Sequence, residues 1–459
     1  MRFSTIDSYK QLFTEYTELR VQENKTISIS LVNGDVVRNS RTAVGGVSAR
    51  VFKNGLWGFS SDPVVNDDSI KKVIDAATAN ALFMSGKTGR PGAQLPITTA
   101  ASNKSFATKK TPLSQKELID FLKAIDAYLV QKYPLLGSRT VSLNCIDMEK
   151  SLITSHGTNA YSLTPRSYIG IQLTTKAGAD VVDLGRGYGG RGQFEDVYTT
   201  PDALFADIDK QYEQLMHKAE GIYPEAGFHD VIFDADLAGI LAHEAIGHTV
   251  ESDGVLGGSI AADYLNKQIA SELVTLVDFA NTALGQTCPV PVFVDDEGTE
   301  AKDAVLIDKG ILRSYMHNKE TAQHFNVAPM GNARAFGFFD EPLIRMRNTA
   351  IMPGQSKLED MIASIENGYY FMRPSNGQAD STSEFMFGVC LGYEIKNGKL
   401  GKGLRDTTIS GVAFDMLKTV TMVSDEMKWS GSGMCGKKQW IPVGMGGPAI
   451  KCKINVGGR

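Results

Sequence analysis

Two histidines five residues apart, in Leu241-Ala242-His243-Glu244-Ala245-Ile246-Gly247-His248, constrain this chain more than any other feature. Histidine is scarce, 7 in 459 residues, and here two bracket a carboxylate. The combination suits a bound Zn²⁺ beside a general base, as in metal-assisted hydrolysis. The spacing is awkward for an ordinary helix. Residues four apart lie roughly 40° apart around an α-helix and share a face, whereas residues five apart diverge by roughly 140°. Both imidazoles reach one metal only if the helix widens locally, and a π-type turn with its i→i+5 period does this. The sequence therefore predicts a one-residue bulge between His243 and His248, with Gly247 as the place where the backbone yields. The competing reading is two ordinary histidines on an amphipathic helix, and the octapeptide alone does not separate the two.

The setting favours ligands. Asp230-Val231-Ile232-Phe233 reads as a short buried strand, after which Asp234 or Asp236 caps a helix running through Leu237, Ile240 and Leu241 into the histidine pair. Rigid elements of this kind hold metal sites well. Glu251 and Asp253 follow in a helix-ending context, either as carboxylates that orient the imidazoles or as a solvated helix end. Two histidines leave a zinc site short of a ligand. Gly431-Ser432-Gly433-Met434-Cys435-Gly436-Lys437-Lys438-Gln439 presents a cysteine in a loop read as flexible, beside two lysines that favour a thiolate. On spacing alone, an incidental surface cysteine is the simpler account.

The ordered set of segments resembles the TldD/PmbA family of zinc-dependent peptidases, also called modulators of DNA gyrase. It comprises Arg50-Val51-Phe52, Gly55-Leu56-Trp57-Gly58-Phe59, the His243–His248 run with Glu251 and Asp253, and Val294-Asp295-Asp296-Glu297-Gly298. Gly331-Asn332-Ala333-Arg334, Arg345-Met346-Arg347-Asn348-Thr349, Cys435-Gly436-Lys437 and Val456-Gly457-Gly458 complete it. The resemblance implies that His243, His248 and Cys435 ligate one zinc per chain, with an open position for water and Glu244 as general base. PmbA-type members lack the His-Glu pattern, so the chain is similar to the catalytic, TldD-type branch. Two positions depart from the family. Ser252 stands where Glu-Gly-Asp is common, and Lys438 replaces the glycine that usually precedes Gln439. Oxyanion donors are not identified by spacing; Arg345, Asn348 and Lys437 are the candidates.

Composition is that of an ordinary soluble enzyme, at 42% hydrophobic and 22% charged residues. A net charge of -5 gives no footprint for nucleic acid, so the gyrase association does not imply DNA binding. The five cysteines (Cys145, Cys288, Cys390, Cys435, Cys452) form no C-x-x-C pair, and a reducing compartment is the simpler reading. Met1-Arg2-Phe3-Ser4-Thr5-Ile6-Asp7 starts no apolar signal region, and no apolar run approaches membrane-spanning length. A cytoplasmic location, with no membrane contact, is expected.

The length calls for two domains. Thr26 to Val32 alternates like a strand before an Asn33-Gly34 turn; Val47 to Phe52 and Trp57 to Ser60 read as strands around Asn54-Gly55. Asp67 to Leu82 and Ser114 to Tyr133 read as helices, the second with a Ser114/Glu117 capping box. Val141 to Met148 and Ser167 to Thr175 read as further strands. No strict βαβ alternation is present, so the expected class is α+β. Gly185-Arg186-Gly187-Tyr188-Gly189-Gly190 fits G-x-G-x-x-G literally, but no strand-turn-helix unit surrounds it, and it reads as a mobile connecting loop. The boundary is expected in Gly185 to Asp202. Residues 1–190 then form an N-terminal sheet-and-helix domain. Residues 191–459 form a C-terminal β-rich domain that carries the ligand helix, with strands at Val290 to Val294, Ala304 to Tyr315 and Glu384 to Tyr393.

Met330 to Phe339 mixes glycines with exposed-looking aromatics. It reads as a loop over a peptide cleft, where substrate adds to a sheet edge, or as a hydrophobic dimer contact. Family members assemble as dimers, so a homodimer or a pairing with a PmbA-type subunit is expected. Three functions are distinguishable: a zinc peptidase for unstructured or partly unfolded peptides, an amidohydrolase maturing a modified peptide, and a non-catalytic regulatory partner with structural zinc. A structural zinc fills four positions with protein ligands, and only three are evident.

Overall fold

The computed structural model describes residues 6–90, 92–430 and 433–457. Readings that fall on residues 1–5, Gly431, Ser432 and Gly458 lie outside the described residues.

Period-2 alternation and two Asn-Gly turns produce the N-terminal meander. β1 (Tyr16–Val32) and β2 (Asp35–Lys53) join at Asn33-Gly34, with φ of 50° and 90°, the backbone that Asn-Gly accepts most readily. β3 (Leu56–Asp62) returns along β2 after Asn54-Gly55. Next come α1 (Asp67–Thr88), β4 (Ala101–Ser105), α2 (Gln115–Lys132), β5 (Ser138–Thr154), β6 (Asn159–Ala177) and β7 (Asp180–Arg191). The expected Ser114/Glu117 capping box starts α2. The strands form one seven-stranded sheet, ordered β3-β2-β1-β5-β6-β4 with β7 also on β6. Helix α1 buries Ile70, Val73, Ile74 and Ala77 with Val47, Ala49 and Val51. After the short α3 (Phe194–Val197), α4 (Phe205–Ala219) packs Ile208 and Leu215 into the same core as Leu122 and Ile125 of α2 and Val141 and Ile169 of the sheet.

The glycine run at 185–190 is not a mobile loop. It lies inside β7, paired with β6 from Gly185↔Gln172 to Gly190↔Ser167. Its glycines serve close approach: a Cβ on Gly189, at φ 130°, would lie 2.1 Å from the Ser167 carbonyl oxygen.

Two larger sheets shape the C-terminal half. β8 (Gly227–Phe233) lies between Asn367–Ala379, parallel, and Ile450–Val456, antiparallel. Thr407–Val412 and Glu384–Lys396 follow, and the latter pairs back onto Asn367–Ala379, so five strands close into a ring. A six-stranded sheet contains, in order, Ile311–Leu312, Ala304–Asp308, Leu276–Phe279, Asn348–Ile351, Gly444–Gly447 and Lys428–Ser430. The strands expected after Ala304 and Glu384 are therefore present. That expected at Val290 to Val294 is not: only an isolated bridge, Val294↔Glu300, forms there. Helix α5 (Ala235–Ile240) runs between the two sheets, and a Cβ on its Gly239 would meet the Gly446 amide nitrogen at 2.9 Å. The class is α+β, as expected. No helix among the described residues is long and apolar enough to cross a membrane.

Candidate metal centre

Asp234 opens α5 by accepting a hydrogen bond from the Leu237 amide at 2.9 Å. The helix then widens into a π-turn over Leu241–Gly247, where the His248 amide donates to the His243 carbonyl, five residues back. The predicted bulge is thus present, and it turns both imidazoles to one side, with ring centroids 5.2 Å apart. The role expected of Gly247 is different. Its backbone is helical, at φ -54° and ψ -48°. What it supplies is space, because a Cβ would lie 2.0 Å from the Met346 sulfur.

Cys435 comes from the far end of the chain. The loop expected to be flexible is a β-hairpin, Met434–Lys437 against Gln439–Pro442, which turns Cys435 and Ile441 inward. Lys438 occupies its turn at φ 59°, a conformation in which glycine carries no penalty. The fully buried Arg345 grips this hairpin by donating to the carbonyls of Cys435 (2.6 Å), Gln439 (2.9 Å) and Lys437 (3.2 Å).

One ligand atom from each of His243, His248 and Cys435 lies within 4.8 Å of the others. Cys435 Sγ is 3.3 Å from His248 Nε2, and His248 Nδ1 is 2.9 Å from Glu251 Oε2. Lys437 Nζ donates to that same Glu251 oxygen at 3.0 Å and to Asp253 at 2.8 Å, tying the hairpin to the end of the ligand helix. Glu244 stands between the rings, 3.7 Å from His248 Nε2 and 4.0 Å from His243 Nε2. His243 is fully buried, and neither ring nitrogen has a hydrogen-bond partner. Burial, with the charges of His248, Arg345 and Arg334 behind it, holds its pKa well below the usual range, so the ring is neutral. Burial opposes charge on His248 too, but Cys435 and Glu251 outweigh it and push that ring up to about 10. Burial raises the Glu244 carboxyl, with His248 acting against the rise.

Other expected residues have different placements. Ser252 uses its hydroxyl to donate to the Met316 carbonyl at 2.6 Å. Asn348 is buried and spends its side chain on the backbone of Phe279, Ala280 and Val290, with no hydrogen bond to the ligand cluster. Arg334 was visible only as part of a family segment. It is buried near His243 and donates to the carbonyls of Met346 and Pro442. The Met330 to Phe339 segment is hydrogen-bonded to side chains of β1. Gln22 and Asn24 donate to the Phe336 carbonyl at 2.5 and 2.7 Å, and Arg20 donates to Gly337 and Asp340. Phe338 is buried against Gly46, and Phe339 is exposed.

Three family matches lie along the chain. The PmbA/TldA metallopeptidase C-terminal domain matches residues 226–458, domain 1 matches residues 17–81 and the central domain matches residues 109–213. A metalloprotease TldD homolog of Buchnera aphidicola is 30% identical over 99% of this chain and 95% of its own length. A zinc metalloprotease TldD homolog of Saccharolobus solfataricus is 29% identical over 90% of each. TldE from Thermococcus kodakarensis has the same fold, with a TM-score of 0.74 at 17% identity, covering 99% of this chain and 98% of its own. This chain belongs to the PmbA/TldD family of metallopeptidases, and a metal cofactor and a peptidase role hold at the level of that family.

Proposed function

We propose that this chain is a zinc-dependent peptidase of unstructured or partly unfolded peptides, with the metal on His243, His248 and Cys435 and Glu244 as general base. One observation carries this reading: the neutral, fully buried His243 ring has two nitrogens without a partner and faces His248 and Cys435. A buried polar atom left unpaired costs about 1–3 kcal/mol, which coordination would remove. Two imidazoles and a thiolate are donors that zinc favours, and three ligands leave a position open. When bound, the ion supplies Lewis acidity, activating water near neutral pH and polarising the scissile carbonyl.

The side chains do the rest. Glu244 accepts the proton of the attacking water and returns it to the leaving amine, and its raised pKa suits the return. Glu251 accepts from His248 Nδ1 and so leaves Nε2 to face the metal position. Lys437 holds Glu251 and Asp253, and Arg345 keeps the Cys435 hairpin in reach of the helix. With all its nitrogens but Nε committed to that hairpin, Arg345 is a positioning residue rather than an oxyanion donor. Assembly with a PmbA-type subunit or with a second copy is part of the same proposal. Glu244→Gln is expected to keep its zinc while peptide cleavage falls by about 10²–10⁴-fold. Cleavage at the original rate with zinc in place would refute the mechanism.

A further inference from the structure

We propose that a cavity at the start of α5 binds a zwitterion, a free amino acid or dipeptide. Its ammonium would meet Asp234 and Asp236, and its carboxylate would meet Arg186 and Arg373. The cavity holds about 690 Å³, within the range of small-molecule sites. It lies in the seam between the two halves of the chain. Arg186 comes from β7 and Gln214 from α4, whereas Asp234 and Asp236 begin α5 and Arg373 belongs to Asn367–Ala379. Leu358, Tyr370, Met372 and Ala449 give it an apolar lining, continuous with the buried Ile232 and Ile395.

The charges around this cavity fall into two sets. Lys357 pairs with Asp425, and Lys428 with Glu426 at 3.1 Å, so these four compensate one another. Among the described residues, no ion pair within 4.0 Å joins Asp234, Asp236, Arg186 or Arg373 to an opposite charge. Here like charges are grouped instead. Burial raises the Asp234 carboxyl to about 7, and Asp236 adds more to the rise than Arg373 takes away. Burial lowers the Arg373 guanidinium, and Arg186 lowers it more than Asp236 restores. A carboxylate pair and a guanidinium pair thus line one seam, each short of an opposite charge, which is costly for partly buried groups. Arg373 is held in place by donating to the Gly185 carbonyl at 3.0 Å and to Gln214 Oε1 at 3.4 Å. Glu359 also lines the cavity, but it is exposed and water screens it. The mixture of signs selects the occupant. A simple anion would face Asp234 and Asp236, and a simple cation would face Arg186 and Arg373. A zwitterion satisfies both pairs through charge-assisted hydrogen bonds, and the apolar lining receives its side chain. The inference uses neither the zinc ligands nor Glu244, so it stands or falls independently of the proposed activity.

The test is isothermal titration of leucine and of dileucine into full-length Glu244→Gln protein, which suppresses cleavage. N-acetyl-dileucine lacks the ammonium, and dileucine amide lacks the carboxylate. Saturable binding of dileucine or leucine below about 1 mM, weakened about tenfold or more by blocking either end, is the expected result. Binding of leucine as tight as that of dileucine assigns the site to free amino acids, and binding of dileucine alone assigns it to peptides; both support the proposal. Asp236→Asn is expected to weaken dileucine about tenfold while costing N-acetyl-dileucine nothing further, and Arg186→Met to do the same for dileucine against its amide. An unchanged thermal midpoint and zinc content in both variants identify a local effect. No saturation by either ligand up to about 1 mM, or blocked ligands that bind as tightly as free ones, overturns the proposal. So does affinity that ignores both variants, since the ligand would then sit at the metal centre. Inorganic phosphate that displaces dileucine equally from the Asp236→Asn and Glu244→Gln proteins also overturns it, because the site would then take anions alone.

Discussion

At Gly247 the backbone is helical, and the missing side chain makes room for Met346, whose sulfur a Cβ would overlap at 2.0 Å. Gly247→Ala is therefore expected to destabilise the protein by about 1–3 kcal/mol, as overpacking does, and to displace His248 from the centre. Denaturant unfolding checks the first effect and zinc titration the second. Shortening the neighbour with Met346→Ala in the same chain should recover part of both. A Gly247→Ala protein as stable as the parent would mean that the Met346 contact does not hold the turn. Glu244, His243 and His248 were legible because their spacing carries chemistry. The cause of the Gly247 requirement was not, because Met346 lies on a different element and leaves no local signature.

The π-turn and the Cys435 hairpin illustrate two degrees of legibility among the elements. Five-residue spacing of two ligands demands i→i+5 geometry, so the turn follows from the residues themselves. Met434–Lys437 is too short and too glycine-rich to show strand periodicity, and it read as a loop. What shapes it is Arg345, whose bond to the Cys435 carbonyl spans 90 residues of sequence. Arg345→Met would leave three carbonyls without their donor and loosen the hairpin. Mutations that disturb the surroundings of metal ligands cost about 10–100-fold in metal affinity, and the same loss is expected here. Substituting Co²⁺ gives a direct readout: the thiolate-to-cobalt absorption should weaken in Arg345→Met and return in Arg345→Lys to the extent that one carbonyl bond is restored. Unaltered absorption and affinity in Arg345→Met would show that the hairpin holds its own shape.

Across the whole molecule, the α+β class and most N-terminal elements followed from alternation, Asn-Gly turns and one capping box. The seam between the N-terminal sheet and the C-terminal half did not. It is built from charged residues far apart in sequence. Arg50 meets Glu297 at 2.5 Å and Glu18 at 3.6 Å, and its guanidinium lies 3.6 Å from the Trp57 ring centroid. Lys150 meets Asp296 at 2.7 Å, and Arg20 holds the Gly337 and Asp340 carbonyls. These ions are nearly or fully buried, and no composition window marks them as paired. Arg50→Met would take the guanidinium from two buried carboxylates, leaving Glu18 with Tyr16 and Lys319 and Glu297 with the Lys319 amide, and is expected to cost about 3 kcal/mol in urea unfolding. Adding Glu297→Gln should return a measurable part of that loss. A loss below about 1 kcal/mol would show that the seam is held by its apolar contacts instead.

Two distant segments, the His243–His248 turn and the Cys435 hairpin, bring together the three side chains proposed to hold one metal. Metal content by plasma mass spectrometry, on the parent and on Cys435→Ala purified without chelator or affinity metal, tests it most directly. About one zinc per chain in the parent and a sharp loss in Cys435→Ala is the predicted result. Zinc retained in full without Cys435, or absent from the parent, would contradict it.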